Sequence, residues 1–260
     1  MSGPARTARR VLLVVVTVGL ALAAAACRTD VEVHVRVEPD GAGAVTVTVD
    51  LDAEASTQVG DPSNLALGDL TDAGWSVDGP SEHDGGLRIV AVRPFSSPDE
   101  LAAVLDEVGG ADGGGGGVFS DTSLERSDGF ASSSTAFRTT LQLSGDPAQF
   151  SDDELTQLLD GLPLGRTPEE LKAAGANAEG AATLRVRVSL PGGVDESNGK
   201  VVRGVASWSA PMNDGTATDT TLHASSTERR STTLVLTGLG VVLLVGAAAA
   251  VVVGLRRRHA

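Results

Sequence analysis

Residues 31–38 read VEVHVRVE, with a valine at every odd position and a charged or imidazole side chain at every even one. Successive side chains of an extended chain point to opposite faces, so this run is predicted to be a strand with one apolar and one solvated face. PDGAG at 39–43 supplies turn chemistry, and AVTVTVDL at 44–51 resumes the alternation, which predicts an antiparallel hairpin. A one-faced hairpin must bury its apolar side against other elements, and this requirement constrains the fold more than any other feature of the chain. Further strands are expected at 87–93, 118–126, 130–143, 183–190, 201–208 and 218–224, and LRVRV at 184–188 repeats the one-faced pattern.

Helix starts are legible between these strands. Ser97, Pro98 and Glu100 have the spacing of a capping box with proline in the first turn. Ser151 with Glu154, and Thr167 with Pro168 and Glu170, repeat it, and Gly175 is placed to stop the last of these helices. A shorter helix is expected at 62–73 behind Asp61, ending at Gly74. Strands interrupted by helices predict an α+β fold: a mostly antiparallel sheet with three to four helices packed on one face, plus one C-terminal transmembrane helix.

Both ends of the chain are apolar. Arg6, Arg9 and Arg10 precede an apolar run at 11–26, and Ala24, Ala25 and Ala26 stand before Cys27, the one cysteine of the chain. A lone thiol closes no disulfide within its own chain, and the layout is that of a lipoprotein-type signal peptide at 1–26 with Cys27 as the lipidation site. Ordinary cleavage after an Ala-x-Ala site and an uncleaved anchor are the alternatives, and Ala24 stands where a lipobox usually has leucine. Residues 234–255 carry no charge and are followed by Arg256, Arg257 and Arg258. At about 1.5 Å rise per residue such a helix crosses a hydrocarbon core of roughly 30 Å, with the arginines on the cytoplasmic side. The expected organisation is an extracytoplasmic domain at 27–225, a polar tether at 226–233, a transmembrane helix at 234–255 and a cytoplasmic tail at 256–260.

Charge and composition narrow the function. Three of the 20 Lys and Arg precede the first apolar run and three follow the second, whereas all 34 Asp and Glu lie between. Nucleic acid, which needs a basic surface, is thereby excluded as a partner. The four histidines, His34, His83, His223 and His259, have no metal-ligand spacing, no serine stands in a G-x-S-x-G turn, and the glycine run at 109–117 lacks the lysine of a phosphate loop. No catalytic residue, metal or cofactor is therefore expected, and the chain is read as no enzyme. Tyrosine is absent, so aromatic surface comes from two tryptophans and five phenylalanines. Trp75, Phe95, Phe119, Phe130, Phe137 and Trp208 are the candidates for lining a ligand cleft, with plain core packing as the alternative. Arg185, Arg187 and Arg203 would form a basic cluster if their strands are neighbours.

DGAGAVTVTVDLD, DLTDAGWSVDGP, VRPFSSPDELAAVLDEV and FSDDELTQLLDGLPLG occur in that order, followed by a late strand carrying Trp208. Together these segments resemble the actinobacterial LppM-type lipoprotein domain family, over most of 27–225. The resemblance implies an exported envelope protein of α+β fold, with binding of membrane glycolipids such as phosphatidylinositol mannosides and no catalytic motif. The expected function is a membrane-anchored extracytoplasmic module at the cell membrane that binds lipid or glycolipid. The alternative is a non-catalytic scaffold that docks another envelope protein.

Overall fold

The structure, a computed structural model, describes residues 28–59, 68–109, 117–145, 182–212 and 216–229. The expected signal segment, Cys27, the helices starting at Ser151 and Thr167, and the apolar segment at 234–255 lie outside these residues. Among the described residues no helix is long and apolar enough to cross a membrane.

The alternating valines form the expected hairpin. β1 (Thr29–Val37) and β2 (Gly43–Leu51) pair antiparallel with Val31 opposite Val49, Val33 opposite Val47 and Val35 opposite Val45. All six of these valines are buried. Gly43 allows the close approach at the turn, because a Cβ there would collide with the Arg36 carbonyl oxygen and the Phe95 ring. On the other flank β1 pairs in parallel with β7 (Ala182–Ser189), which sets Val33 beside Val186.

α1 (Ala53–Val59) follows β2, and Asp52 caps it by accepting from the backbone N–H groups of Glu54 and Ala55. α2 (Gly68–Asp72) ends as expected at Gly74, whose φ of +92° suits a helix stop. β3 (Ser76–His83) and β4 (Gly86–Phe95) then complete one side of the sheet. α3 (Pro98–Gly109) starts behind Ser97, whose Oγ accepts from the Glu100 N–H, and buries Leu101, Val104 and Leu105. The return arm of the box is shifted by one residue: Glu100 Oε2 accepts from the N–H and the hydroxyl of Ser96.

β5 (Phe119–Asp128) and β6 (Ser132–Leu143) form a long hairpin. After β7 come β8 (Glu196–Ser197), β9 (Lys200–Val202), β10 (Val205–Pro211) and β11 (Thr218–Arg229). The strand expected at 201–208 is thus two strands around a turn at Arg203 and Gly204. β11 runs through Ser226–Arg229, into the segment read as a tether.

These strands make two sheets, one of order β3-β4-β2-β1-β7-β10-β9 and one of order β5-β6-β11-β8. The expected α+β class, a mostly antiparallel sheet with three to four helices on one face, is corrected accordingly: the described chain is a mostly-β, two-sheet domain. A single core accounts for the difference. Leu124, Phe137, Leu141, Leu143, Leu222 and Ala224 of the second sheet join the valines of the first in one buried cluster, in place of the expected helix layer. Helices contribute only part of that cluster, through Ala55, Leu70, Leu101, Val104 and Leu105.

Phe137 has 0% exposure and stands where the second sheet enters this core. Phe137→Ala is expected to lower unfolding stability by about 4 kcal/mol, the cost of removing a buried ring and leaving a cavity; chemical denaturation of the full chain measures it.

Candidate functional site

The periodicity that buries the valines directs the other half of each strand outward. Across the seven-stranded sheet the register aligns Lys200, Ser207, Arg187, His34 and Thr46 in one row, and Ser209, Arg185, Glu32 and Thr48 in the next. A third row holds Val202, Val205, Ser189, Arg36 and Ala44. The outer face over β1, β7, β10 and β9 therefore carries Arg36, Arg185, Arg187 and Lys200, with Glu32 as the carboxylate among them.

Glu32 ties the rows together. Arg187 donates to its Oε1 at 3.0 Å, and Arg185 stands 3.6 Å from its Oε2. Both side chains stay partly exposed, at 46% for Arg185 and 38% for Arg187. His34 lies half-buried between them and β2, its Nε2 2.9 Å from Ser189 Oγ. Burial holds the His34 pKa below 6.5, Arg187 and Arg36 depress it further, and Glu32 opposes them.

Towards the start of β1 the same face becomes acidic. Asp30 stands opposite Asp50, a like-charge pair that two arginines relieve. Arg88 grips Asp50 through two hydrogen bonds, at 2.5 and 2.7 Å, and Arg28 Nε donates to Asp30 at 3.1 Å. The backbone N–H of Arg28 donates to Asp52 at 2.7 Å. With Asp84 and His83 these groups surround an open depression of about 220 Å³. Its four aspartates outnumber its two arginines, and both arginines are engaged by carboxylates. Among the described residues an anionic ligand finds no free cation there.

A third polar group faces inward. Arg93, opposite Val45, points to the core side, donates to Glu107 of α3 at 2.8 Å and to the Ala73 carbonyl, and Trp75 Nε1 donates to Glu107 at 3.2 Å. Burial raises the Glu107 pKa, against the pull of Arg93 and the Trp75 hydrogen bond. This cluster pins α3 to the sheet.

The candidate cleft residues do not converge. Trp75, Phe95, Phe119 and Phe137 are core residues. Trp208, opposite Val186, is half-buried against the core, with its Nε1 donating to Asn198 and its ring closed over by Gly199, where a Cβ would come within 2.5 Å. Phe130, at the tip of the β5–β6 hairpin, is 86% exposed. Arg185 and Arg187 do come together on the outer face, joined by Arg36 and Lys200, which sequence reasoning missed; Arg203 sits in the β9–β10 turn. The missed signal was the register of β1 against β7, which no local pattern states. Among the described residues no three His, Cys, Asp or Glu side chains are grouped to hold a metal ion.

Fold and face together define a mostly-β, two-sheet domain with a charged outer face and a mainly aliphatic core that takes in Trp75, Phe95, Phe119 and Phe137. No protein-family model matches the chain. No curated protein matches it either. Among solved structures it is similar to the NMR structure of the folded domain of Mycobacterium tuberculosis LppM, at 15% identity over 79% of this chain and 92% of that one, with a TM-score of 0.38. LppM gives its name to the family that the sequence segments resemble.

His34 yields a signed pH dependence. Its folded pKa is below 6.5, so the unfolded chain takes up a proton first as pH falls, and stability is lost on acidification from 6.5 down through the folded value. Melting curves of the parent and His34→Gln across this range are expected to diverge, with the variant losing less stability.

Proposed function

We propose that the chain is a module of the cell envelope, held at the membrane through its apolar ends, whose outer sheet face binds the headgroups of lipid or glycolipid. The observation that carries this reading is the pair Arg185 and Arg187 on Glu32, with Arg36 and Lys200 in adjoining rows of the same sheet face, on a chain of net charge −14. Local concentration of cations on an acidic protein favours phosphate and other anionic groups, and guanidinium groups bind these in bidentate fashion. Sugar hydroxyls suit the flanking Thr46, Thr48, Ser207 and Ser209. Contact at headgroup level also agrees with an aromatic set mostly committed to the core, which leaves acyl chains in the bilayer. The signal-like segment at 1–26 and the resemblance to LppM-type domains support location at the envelope.

Docking of another envelope protein is the second reading, favoured by one observation. β9 forms an edge of the seven-stranded sheet, and its Val201 and Val202 are 40% and 51% exposed. Exposed edges of this kind accept a strand from a partner.

The test is native mass spectrometry of the detergent-solubilised full chain incubated with envelope lipid extract. Bound phospholipid or glycolipid is expected, and Arg185→Glu with Arg187→Glu is expected to reduce its occupancy at least about tenfold, through loss of two charge-assisted contacts. Lipid-free parent protein, or unchanged occupancy in the double variant, contradicts the reading.

A further inference from the structure

The first and last described residues, Arg28 and Arg229, lie at opposite ends of β1. At one, Arg28 precedes β1 and is fastened to Asp52. At the other, β11 ends at Arg229, opposite Ser132 of the β5–β6 hairpin. That end belongs with Val37: Ser189 of β7 stands opposite Arg36, and in the turn that follows β7 a Cβ on Gly192 would come 3.3 Å from the Glu228 Cα. Asp40 of the β1–β2 turn and Glu228 both act on the Arg126 guanidinium. At about 3.3 Å per residue, the two ends are roughly 26 Å apart along the strand.

The reach on either side is shorter than that separation. Cys27 directly precedes Arg28, and residues 230–233 alone separate Arg229 from the apolar segment at 234–255. Fully extended, that connection spans roughly 17 Å. A domain standing upright on its Arg28 end would hold Arg229 about 26 Å from the lipid, beyond this reach.

Resting on the reading that both ends attach to the membrane, we propose that the domain lies along the lipid surface, its β1 axis within about 40° of the membrane plane, and that Phe130 enters the interface beside the Arg229 exit. Phe130 precedes Ser132, the partner of Arg229, by two positions and is 86% exposed. Val202 is exposed at the same end, in the row of Arg36 and Val205. The charges at this end are mixed, Arg126 being paired with Asp128 and facing Asp40 and Glu228, so insertion of the apolar Phe130 side chain, not net positive charge, holds this end at the interface.

The experiment uses the full chain reconstituted in phosphatidylcholine vesicles, with a fluorophore on Phe130→Cys or, at the opposite end, on Glu82→Cys. The parent, whose one thiol is Cys27, gives the background. Vesicles carrying a nitroxide at a shallow acyl position are expected to quench the label at 130 roughly twofold or more, as for a side chain buried in the headgroup–acyl boundary, and to quench the label at 82 as well. An unquenched label at 130 on a chain that stays with the vesicles through a carbonate wash overturns the orientation and leaves attachment standing. A chain released by the wash overturns attachment, and the orientation with it.

Discussion

The domain depends on burial of the valine face of β1. Val31, Val33, Val35 and Val37 are each at most 4% exposed, and β1 is hydrogen-bonded on both sides, to β2 and to β7. Each such side chain contributes about 1.5–3 kcal/mol on leaving water, so the face outweighs any single ion pair on the surface. A slip of one residue would turn every valine outward and every charge inward, which makes the register nearly obligatory. From that register follows the position of Arg185 and Arg187 beside Glu32 and His34.

Electrostatics then divide along the strand axis. Towards Arg28 the outer face is acidic, and its arginines are consumed in neutralising Asp30 and Asp50. Towards Val37 the arginines outnumber the carboxylate they surround. One sheet thus presents two surfaces of opposite character, with Arg28 and Arg229 at opposite ends of β1. The inward Arg93–Glu107 pair serves a different purpose: it holds α3 over the core without carrying charge to the surface.

The sequence made the β1–β2 hairpin legible because period-two alternation is a local signal, and the start of α3 because Ser97 and Glu100 fix it within one turn. It concealed β3, where polar residues and the Gly79–Pro80 step remove any alternation. α1 was hidden because its cap, Asp52, reads equally well as one more acidic residue after β2. The division into two sheets was not legible at all, since β6 pairs with β11 across a separation that no window spans. Without that pairing, the apolar faces of β5, β6 and β11 have no partner layer except the expected helices. On the outer face, Arg185 and Arg187 were visible as a pair, but Arg36 and Lys200 join them only through strand neighbours. Phe130 read as a strand residue and lies at a hairpin tip instead.

Amide hydrogen exchange of the full chain tests the central claim most directly. If burial of β1 between β2 and β7 organises the domain, the amides of Val31, Val33 and Val35 exchange among the slowest, while the edge strands β3 and β9 exchange fast. Exchange of β1 at the rate of those edges would show that the fold does not depend on it.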